Sequence, residues 1–317
     1  MTGGLGGKIV GNIKSKNFHF MAITEFWLQL WATPPTRDND KSASTYALIK
    51  AILERKFGNK VKIFLQWSYA NRTNIKKDSD IDIVICYQDS CFTDTSKLSE
   101  KDKELYNSNR TDATYKFSNF KNDVQKCLEE SFWKNPHTER KDKCIRIYWN
   151  HTRVDADMVP CFVHKRFKTH NTTSAEWVEF VSDSWIHSIS FPKQHIQNWE
   201  NKNTRTKENY KDTVRILKNC KKELVERGLI EDELISSFFI ECLVWNVPDT
   251  YFNKTSYLDI TKSILEKIYS DIQNAETTNK YTEINSLFYL IRSKRTKITR
   301  EDVIKFLEVA YWYIFNP

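Results

Sequence analysis

Gln66-Trp67-Ser68-Tyr69-Ala70-Asn71-Arg72-Thr73-Asn74-Ile75-Lys76-Lys77-Asp78-Ser79-Asp80-Ile81-Asp82 decides how this chain is read. Before it, Val61, Ile63 and Leu65 mark a β-rich stretch over 61–68; after it, Ile-Val-Ile-Cys-Tyr continues to Tyr87, rich in β-branched residues. Both sides of the quoted loop therefore read as buried strands. Asp80 and Asp82 are two apart at the start of the second strand, so their side chains leave the same face. Further on, Thr152 to Val159 alternates, with Val154, Ala156 and Met158 on one side and Asp155 and Asp157 on the other, and ends at Pro160. That strand carries an acidic face of its own.

Outward from this centre, Ser42 to Phe57 has apolar residues near helical spacing, and 112–135 repeats that pattern through Tyr115, Phe117, Phe120, Val124 and Leu128. The stretch 88–111 is polar and turn-rich, and Cys144 to Trp149 alternates as another strand. Past Phe162 the regularity weakens. A polar stretch from Phe191 to Glu208 marks a boundary, after which helices are expected near 208–227, 231–246, 257–275, 281–293 and 300–315, the last capped by Thr299. The fold class is α/β (α+β) in two lobes: a mixed-sheet lobe over 21–200, which includes an N-terminal helix, then a helical lobe over 201–317. Residues 1–20 read as a leader or an added segment, with Met21 as the natural start.

Composition bounds the function. A chain of 317 residues supports two cores, and a formal charge of +8 with pI near 8.9 suits a polyanionic substrate as well as a nucleic acid. Seven cysteines without a Cys-x-x-Cys pair argue against a disulfide framework or a zinc cluster and for a reducing cytoplasm. No apolar run reaches the roughly 20 residues of a membrane span, so no membrane is expected.

The carboxylates carry the chemistry. Hard oxygen donors at this spacing suit Mg²⁺, or Mn²⁺ in its place. Joining a hydroxyl to an α-phosphate needs one ion at the attacking oxygen and one at the leaving pyrophosphate. Asp157 is the third ligand expected beside Asp80 and Asp82, with Asp155 in reserve. Ser68, where strand becomes turn, can offer its N–H and hydroxyl to β- and γ-phosphate oxygens. In the helical lobe, Lys211, Arg215, Lys218 and Lys222 fall on one basic stripe, which the pattern alone reads as a solvated face.

Gln66 to Asp82 and Asp157 to Pro160 resemble the signature of the polymerase-β-like nucleotidyltransferases, and within them the bacterial cyclic-oligonucleotide synthases (CD-NTases, cGAS/DncV-like) related to animal cyclic GMP–AMP synthase. The signature is Gly-Ser, a short loop, a Ser-Asp-(Ile/Val)-Asp strand and a later Asp-Val-Val-Pro-like strand, and the resemblance covers most of Met21–Pro317. It implies a polymerase-β-like core and Asp80, Asp82 and Asp157 as metal ligands. It also implies Ser68 and Gln66 at the nucleotide, Lys218 and Ser237 at the triphosphate and Phe238 stacked on the base, with Arg215 and Ser236 as neighbours. The implied reaction joins ATP, GTP, UTP or CTP into a cyclic di- or trinucleotide second messenger for anti-phage signalling, whose effector meets the enzyme only through that product. A linear transferase acting on RNA or protein and a catalytically inactive nucleotide-binding protein are the competing readings. One departure stands out: Trp67 occupies the place of the glycine that lets backbone approach phosphate. The animal enzyme's zinc insertion has no counterpart here, so activation by double-stranded DNA is not expected.

Overall fold

The computed structural model describes residues 22–35, 41–66, 71–75, 80–132, 138–148, 150–293 and 296–316. Ser68 and Trp67 lie outside the described residues. Contacts divide the chain into two compact units. One takes the described residues up to Pro35, Asn71–Ile75 and the chain from Gln194 onward; the other takes those within Thr36–Ala70 and Lys76–Lys193. Helix α1 (Glu25–Ala32) is thus part of the helical unit although it precedes the sheet in sequence.

The sheet unit follows with α2 (Lys41–Phe57), β1 (Val61–Gln66), β2 (Ile81–Asp94), α3 (Glu100–Asn109), α4 (Phe117–Phe132), β3 (Thr138–Arg140), β4 (Ile145–Ile147), β5 (Ala156–Thr169), β6 (Thr172–Val181) and β7 (His187–Ser190). Its strands form one mixed sheet in the order β1-β2-β5-β4-β3, with β6 on β5 and β7 on β6. β2 and β5 run parallel, while the other pairs are antiparallel. β5 is long enough for β4 and β6 to share its second edge, β4 at Ala156–Met158 and β6 from Phe162 onward.

Period-two alternation sorts the two faces. Ile81, Ile83, Ile85 and Tyr87 point into a core with Ala156, Met158 and Phe162, closed by Ile49 and Leu53 of α2 and by Phe120, Val124 and Leu128 of α4. Phe120, Val124, Cys127 and Leu128 recur at i, i+4, i+7 and i+8, so one stripe of α4 is buried. Each such side chain removed from water contributes roughly 1.5–3 kcal/mol. The opposite face carries a smaller cluster, Val84, Cys86, Cys161 and Val178, and beyond Val84 the same face turns acidic at Asp82.

Three expectations need correction in this unit. β2 continues past Tyr87 to Asp94, with a register shift between Tyr87 and Cys91, where turns were expected. The acidic strand starts at Ala156, after a turn closed by the Asn150–Arg153 bridge, and not at Thr152. Beyond Phe162 the chain stays extended and adds β6 and β7, because bulges near Phe167 break the alternation that a sequence reading relies on.

The helical unit contains α1, α5 (Pro192–Arg205, assigned to it from Gln194), α6 (Asn209–Glu226), α7 (Ser237–Trp245), α8 (Tyr257–Gln273), α9 (Ala275–Thr278) and α10 (Arg300–Phe315). Its core joins Trp199, Tyr210, Leu217, Ile240, Ile264, Ile268, Phe306 and Leu307, among others. Thr299 caps α10 in a reciprocal capping box with Asp302. α1 is pinned at both ends: Asn219 donates to the Trp31 carbonyl at 3.1 Å, and the Glu25 carboxylate accepts from the backbone N–H of Tyr257 and Leu258 at the start of α8. The polar boundary expected over 191–208 is largely helix α5, and no helix spans 281–293. In the latter stretch Asn285 accepts from the N–H of Leu287 and Phe288, Ser286 takes φ 59°, and Thr282 bridges to Tyr289. No helix among the described residues is long and apolar enough to cross a membrane.

Candidate active site

Strand register gathers the site. Gln66 of β1 lies opposite Asp82 of β2, Asp82 opposite Asp157 of β5, and Asp157 opposite Arg146 of β4. Four strands thus set glutamine, aspartate, aspartate and arginine in one row on one face of the sheet. Asp80 sits just before β2, and next to it the Ile81 N–H donates to the Asp155 carbonyl at 3.0 Å, which continues the pairing past the strand ends.

Arg146 links the acidic groups. Its Nη2 donates to Asp80 Oδ2 at 2.6 Å and lies 3.8 Å from Asp155 Oδ2, and its Nε lies 3.2 Å from Asp157 Oδ1. Gln66 donates from Nε2 to Ser190 Oγ at 2.7 Å.

The charges feel one another. Burial pushes the Asp82 carboxyl up to about 7, helped by the charges of Asp157 and Asp80 and opposed by Arg146. Burial also raises Asp157, again against Arg146. For Arg146 burial works against the charge, but Asp157, Asp80 and Asp155 outweigh it and hold the guanidinium above its usual value. Burial, with the Asp157 charge, pushes the Cys144 thiol up to about 12, so it stays a thiol.

A raised carboxyl costs folding stability once it ionises, so the effect grows as pH climbs from the unfolded value near 3.8 through about 7. Carried that far, a carboxyl is worth up to about 4 kcal/mol, which partial solvent exposure cuts to about 2 kcal/mol. In EDTA, Asp82→Asn is therefore expected to be more stable than the parent at pH 8 by about 2 kcal/mol. The difference should vanish toward pH 4. Urea unfolding across this range checks it, and a pH-independent difference would refute it.

Hard oxygen donors converging on one sheet face fit a divalent cation. Asp157 Oδ1 is buried and finds no hydrogen-bond donor, as expected of an oxygen kept for an ion. Among the described residues no three His, Cys, Asp or Glu side chains stand close enough together to hold a metal as they are. The Arg146 guanidinium takes the cationic place between them.

The residues expected at the triphosphate and base belong to the helical unit. Lys218 of α6 is buried, ion-paired with the equally buried Glu241 of α7, and donates to the Thr73 carbonyl at 3.0 Å. Ser236 is the N-cap of α7 and accepts from the Phe239 N–H, which leaves Ser237 exposed as the first helical residue. Phe238 is half-buried and stacks on His195, with ring centroids 5.8 Å apart. The basic stripe is not a bare solvated face: Lys211 pairs with Glu200, Arg215 with Asp212 and Lys222 with Glu226. Sequence reasoning missed Arg146. The alternation Cys-Ile-Arg-Ile-Tyr put it opposite the buried isoleucines, but only the register of β4 on β5 sets it beside Asp157.

Comparison with known proteins gives the family. Residues 197–315 match the cGAS/DncV-like nucleotidyltransferase C-terminal helical domain. Over 295 residues the chain is 42% identical to the cyclic dipurine nucleotide synthase of Elizabethkingia meningoseptica, covering 93% of this chain and 99% of the relative. It is 31% identical over 243 residues to the cyclic UMP-AMP synthase of Rhodothermus marinus, covering 74% of this chain and 80% of the relative. Among solved structures it resembles the E. meningoseptica CdnE cyclic dinucleotide synthase with GTP and Apcpp, with a TM-score of 0.77 and 38% identity over 92% of this chain and 99% of that one. It also resembles the R. marinus CdnE c-UMP-AMP synthase with Apcpp and Upnpp, with a TM-score of 0.79 and 26% identity over 93% of this chain and 98% of that one.

Fold and likeness together define a nucleotidyltransferase. Within that class the chain belongs to the bacterial CD-NTases, the cGAS/DncV-like family of cyclic nucleotide synthases.

Proposed function

We propose that the protein joins two purine nucleoside triphosphates into a cyclic dinucleotide, using Mg²⁺ held by Asp80, Asp82 and Asp157. The row of Gln66, Asp82, Asp157 and Arg146 across four strands carries this reading, since it sets two acidic strands side by side on one face. The purine preference rests on the E. meningoseptica relative, named as a dipurine synthase and similar over nearly the whole chain.

In each round a ribose hydroxyl attacks an α-phosphate. A P–O bond forms to the hydroxyl oxygen, the bond from the α-phosphorus to pyrophosphate breaks with its electron pair leaving on pyrophosphate, and the hydroxyl proton passes to solvent. When bound, the divalent ions lower the cost of ionising the hydroxyl and of releasing pyrophosphate. The protein's part is to aim: Asp82 and Asp157 are fixed by ladder hydrogen bonds on neighbouring strands, and Asp80 completes the set at the strand end. Ser68 would receive β- and γ-phosphate oxygens. Phe238, at the accessible start of α7, would stack on the base, and Ser237 beside it would act on the triphosphate together with Lys218, once the latter is drawn from Glu241. The product would act as a second messenger in anti-phage signalling, read by a separate effector in the cytoplasm, where the seven free cysteines stay reduced.

Product analysis by mass spectrometry, after incubation with all four NTPs and Mg²⁺, tests this. A phosphatase-resistant cyclic dipurine nucleotide is expected. Label appearing only in RNA or protein would overturn the reading in favour of a linear transferase, and no nucleotide turnover would favour an inactive binder.

A further inference from the structure

The geometry points to Arg146 as a resident counter-cation. It occupies the centre of the carboxylate group before any metal arrives, and a divalent ion must displace it to bind. The inference rests on the metal reading above.

The contacts of Arg146 are unusual for an ordinary structural ion pair. One guanidinium serves three carboxylates from two strand ends: Asp80 at 2.6 Å, Asp157 at 3.2 Å and Asp155 at 3.8 Å. A bidentate arginine–carboxylate fork would be stronger and more directional. None forms here. Arg146 Nε and Asp157 Oδ1 face each other, yet both are buried without a hydrogen bond, so their contact is Coulombic and poorly aimed. Arg146 thus spreads its charge over the group instead of locking onto one member.

That arrangement solves a physical problem posed by the clustered carboxylates. Asp80, Asp82, Asp155 and Asp157 gather at one end of the β2–β5 pair, and without a cation their mutual repulsion opposes the strand register. Arg146 lies directly across the ladder from Asp157 and supplies the missing charge from inside the fold. Its side chain is 18% exposed and its stem is flexible, so it can leave without unfolding β4. The same position explains why no three acidic side chains among the described residues close around a metal point. The carboxylates are arranged around a guanidinium.

The consequence is a trade. Arg146 keeps the site assembled in the absence of metal and weakens its affinity for free divalent ions, because each ion must replace the pairs that Arg146 makes.

Mn²⁺ binding without nucleotide, read by electron paramagnetic resonance on the full chain, tests the inference independently of activity. Arg146→Gln is expected to bind Mn²⁺ about tenfold more tightly than the parent, the size of an ordinary coupling between two sites. In EDTA this variant should melt below the parent, and saturating Mn²⁺ should remove most of that difference. An arginine with a merely structural role would leave Mn²⁺ affinity unchanged, and its melting loss would persist with metal. Either result overturns the inference. Should Arg146→Gln not fold, Arg146→Lys decides. A compact ammonium reaches fewer carboxylates, so binding about two- to threefold tighter than the parent is expected, and equal or weaker binding overturns the inference. If neither the parent nor any variant binds Mn²⁺, the metal reading itself fails and this inference with it; if all bind equally, only the role of Arg146 falls.

Discussion

Asp80→Ala combined with Asp82→Ala should abolish product formation while the protein remains folded. The loss expected is at least about a thousandfold, because the charge stabilisation supplied at a reacting phosphate is several kcal/mol and each 1.36 kcal/mol is a factor of ten. The fold should survive because neither side chain contributes to the core: Asp80 is 61% exposed, and Asp82 points to the face opposite Ile81 and Ile83. Removing two negative charges from a repelling group also relieves strain, so melting in EDTA is expected to be unchanged or raised. Asp157→Ala should match the double variant in activity. Asp155→Ala provides the contrast: it lies at 3.8 Å from Arg146, outside the cross-strand row, and its backbone carbonyl does the structural work by accepting from Ile81. A loss of activity there as deep as that of Asp157→Ala would move the third ligand to Asp155. Product formation by the double variant at the parent's rate would end the assignment of the carboxylate row altogether.

Glu241→Ala is expected to destabilise the helical unit as strongly as the loss of a fully buried core side chain. Lys218 and Glu241 are each 3% exposed at the side chain and form an ion pair joining α6 to α7. Thr73 completes the cluster, donating to Glu241 at 2.9 Å and accepting from Lys218 through its carbonyl. Deleting one partner leaves an ammonium buried with neutral acceptors only, a change that costs about 3–5 kcal/mol. Urea unfolding monitored by a helical signal measures it. Replacing both charges by apolar residues of similar size, Lys218→Met with Glu241→Leu, should recover most of the loss, since a buried pair contributes little net stability over a packed apolar contact. The two measurements separate roles that a single variant confuses. A double variant that is stable yet inactive would support a part for Lys218 in binding the triphosphate, whereas a stable and active one would leave the pair purely structural. A Glu241→Ala protein within about 1 kcal/mol of the parent would show that water reaches Lys218 after all.

Much of the sheet unit could be read from the residues because its core-facing positions are apolar and its strands alternate. Ile81, Ile83 and Ile85 mark β2, and Asp82 and Asp157 stand out against apolar neighbours. α5 shows where that reading stops. Its buried stripe includes His195, Trp199 and Lys202, one of them charged, so an apolar-periodicity test sees only a polar segment. Lys202 is accommodated because it donates to the Val247 carbonyl and to Asp249 and lies near the rings of Tyr210, Trp245 and Phe252. Those partners lie up to fifty residues away in sequence. The stretch 281–293 fails the opposite way: Tyr281 and Ile284 are buried, Phe288 is half-buried, and the three recur at i, i+3 and i+7 as if on a helix, but the Asn285 side chain offers the backbone a turn instead. For the site, residue types and spacing identified the carboxylates, whereas the guanidinium that sits among them depends on how β4 pairs with β5, which no local pattern specifies.

The parallel pairing of β2 with β5 has one more consequence. Asp82 and Asp157 are neighbours through the ladder, so their separation does not depend on the length or content of the chain between them. Part of that intervening chain, α3, buries none of its residues. The carboxylate pair and the outer surface are therefore inherited separately: α3 can be lengthened, recoloured in charge or exchanged for another element without moving Asp82 from its place beside Asp157, which gives a lineage of such enzymes a place to vary while that pairing stays fixed.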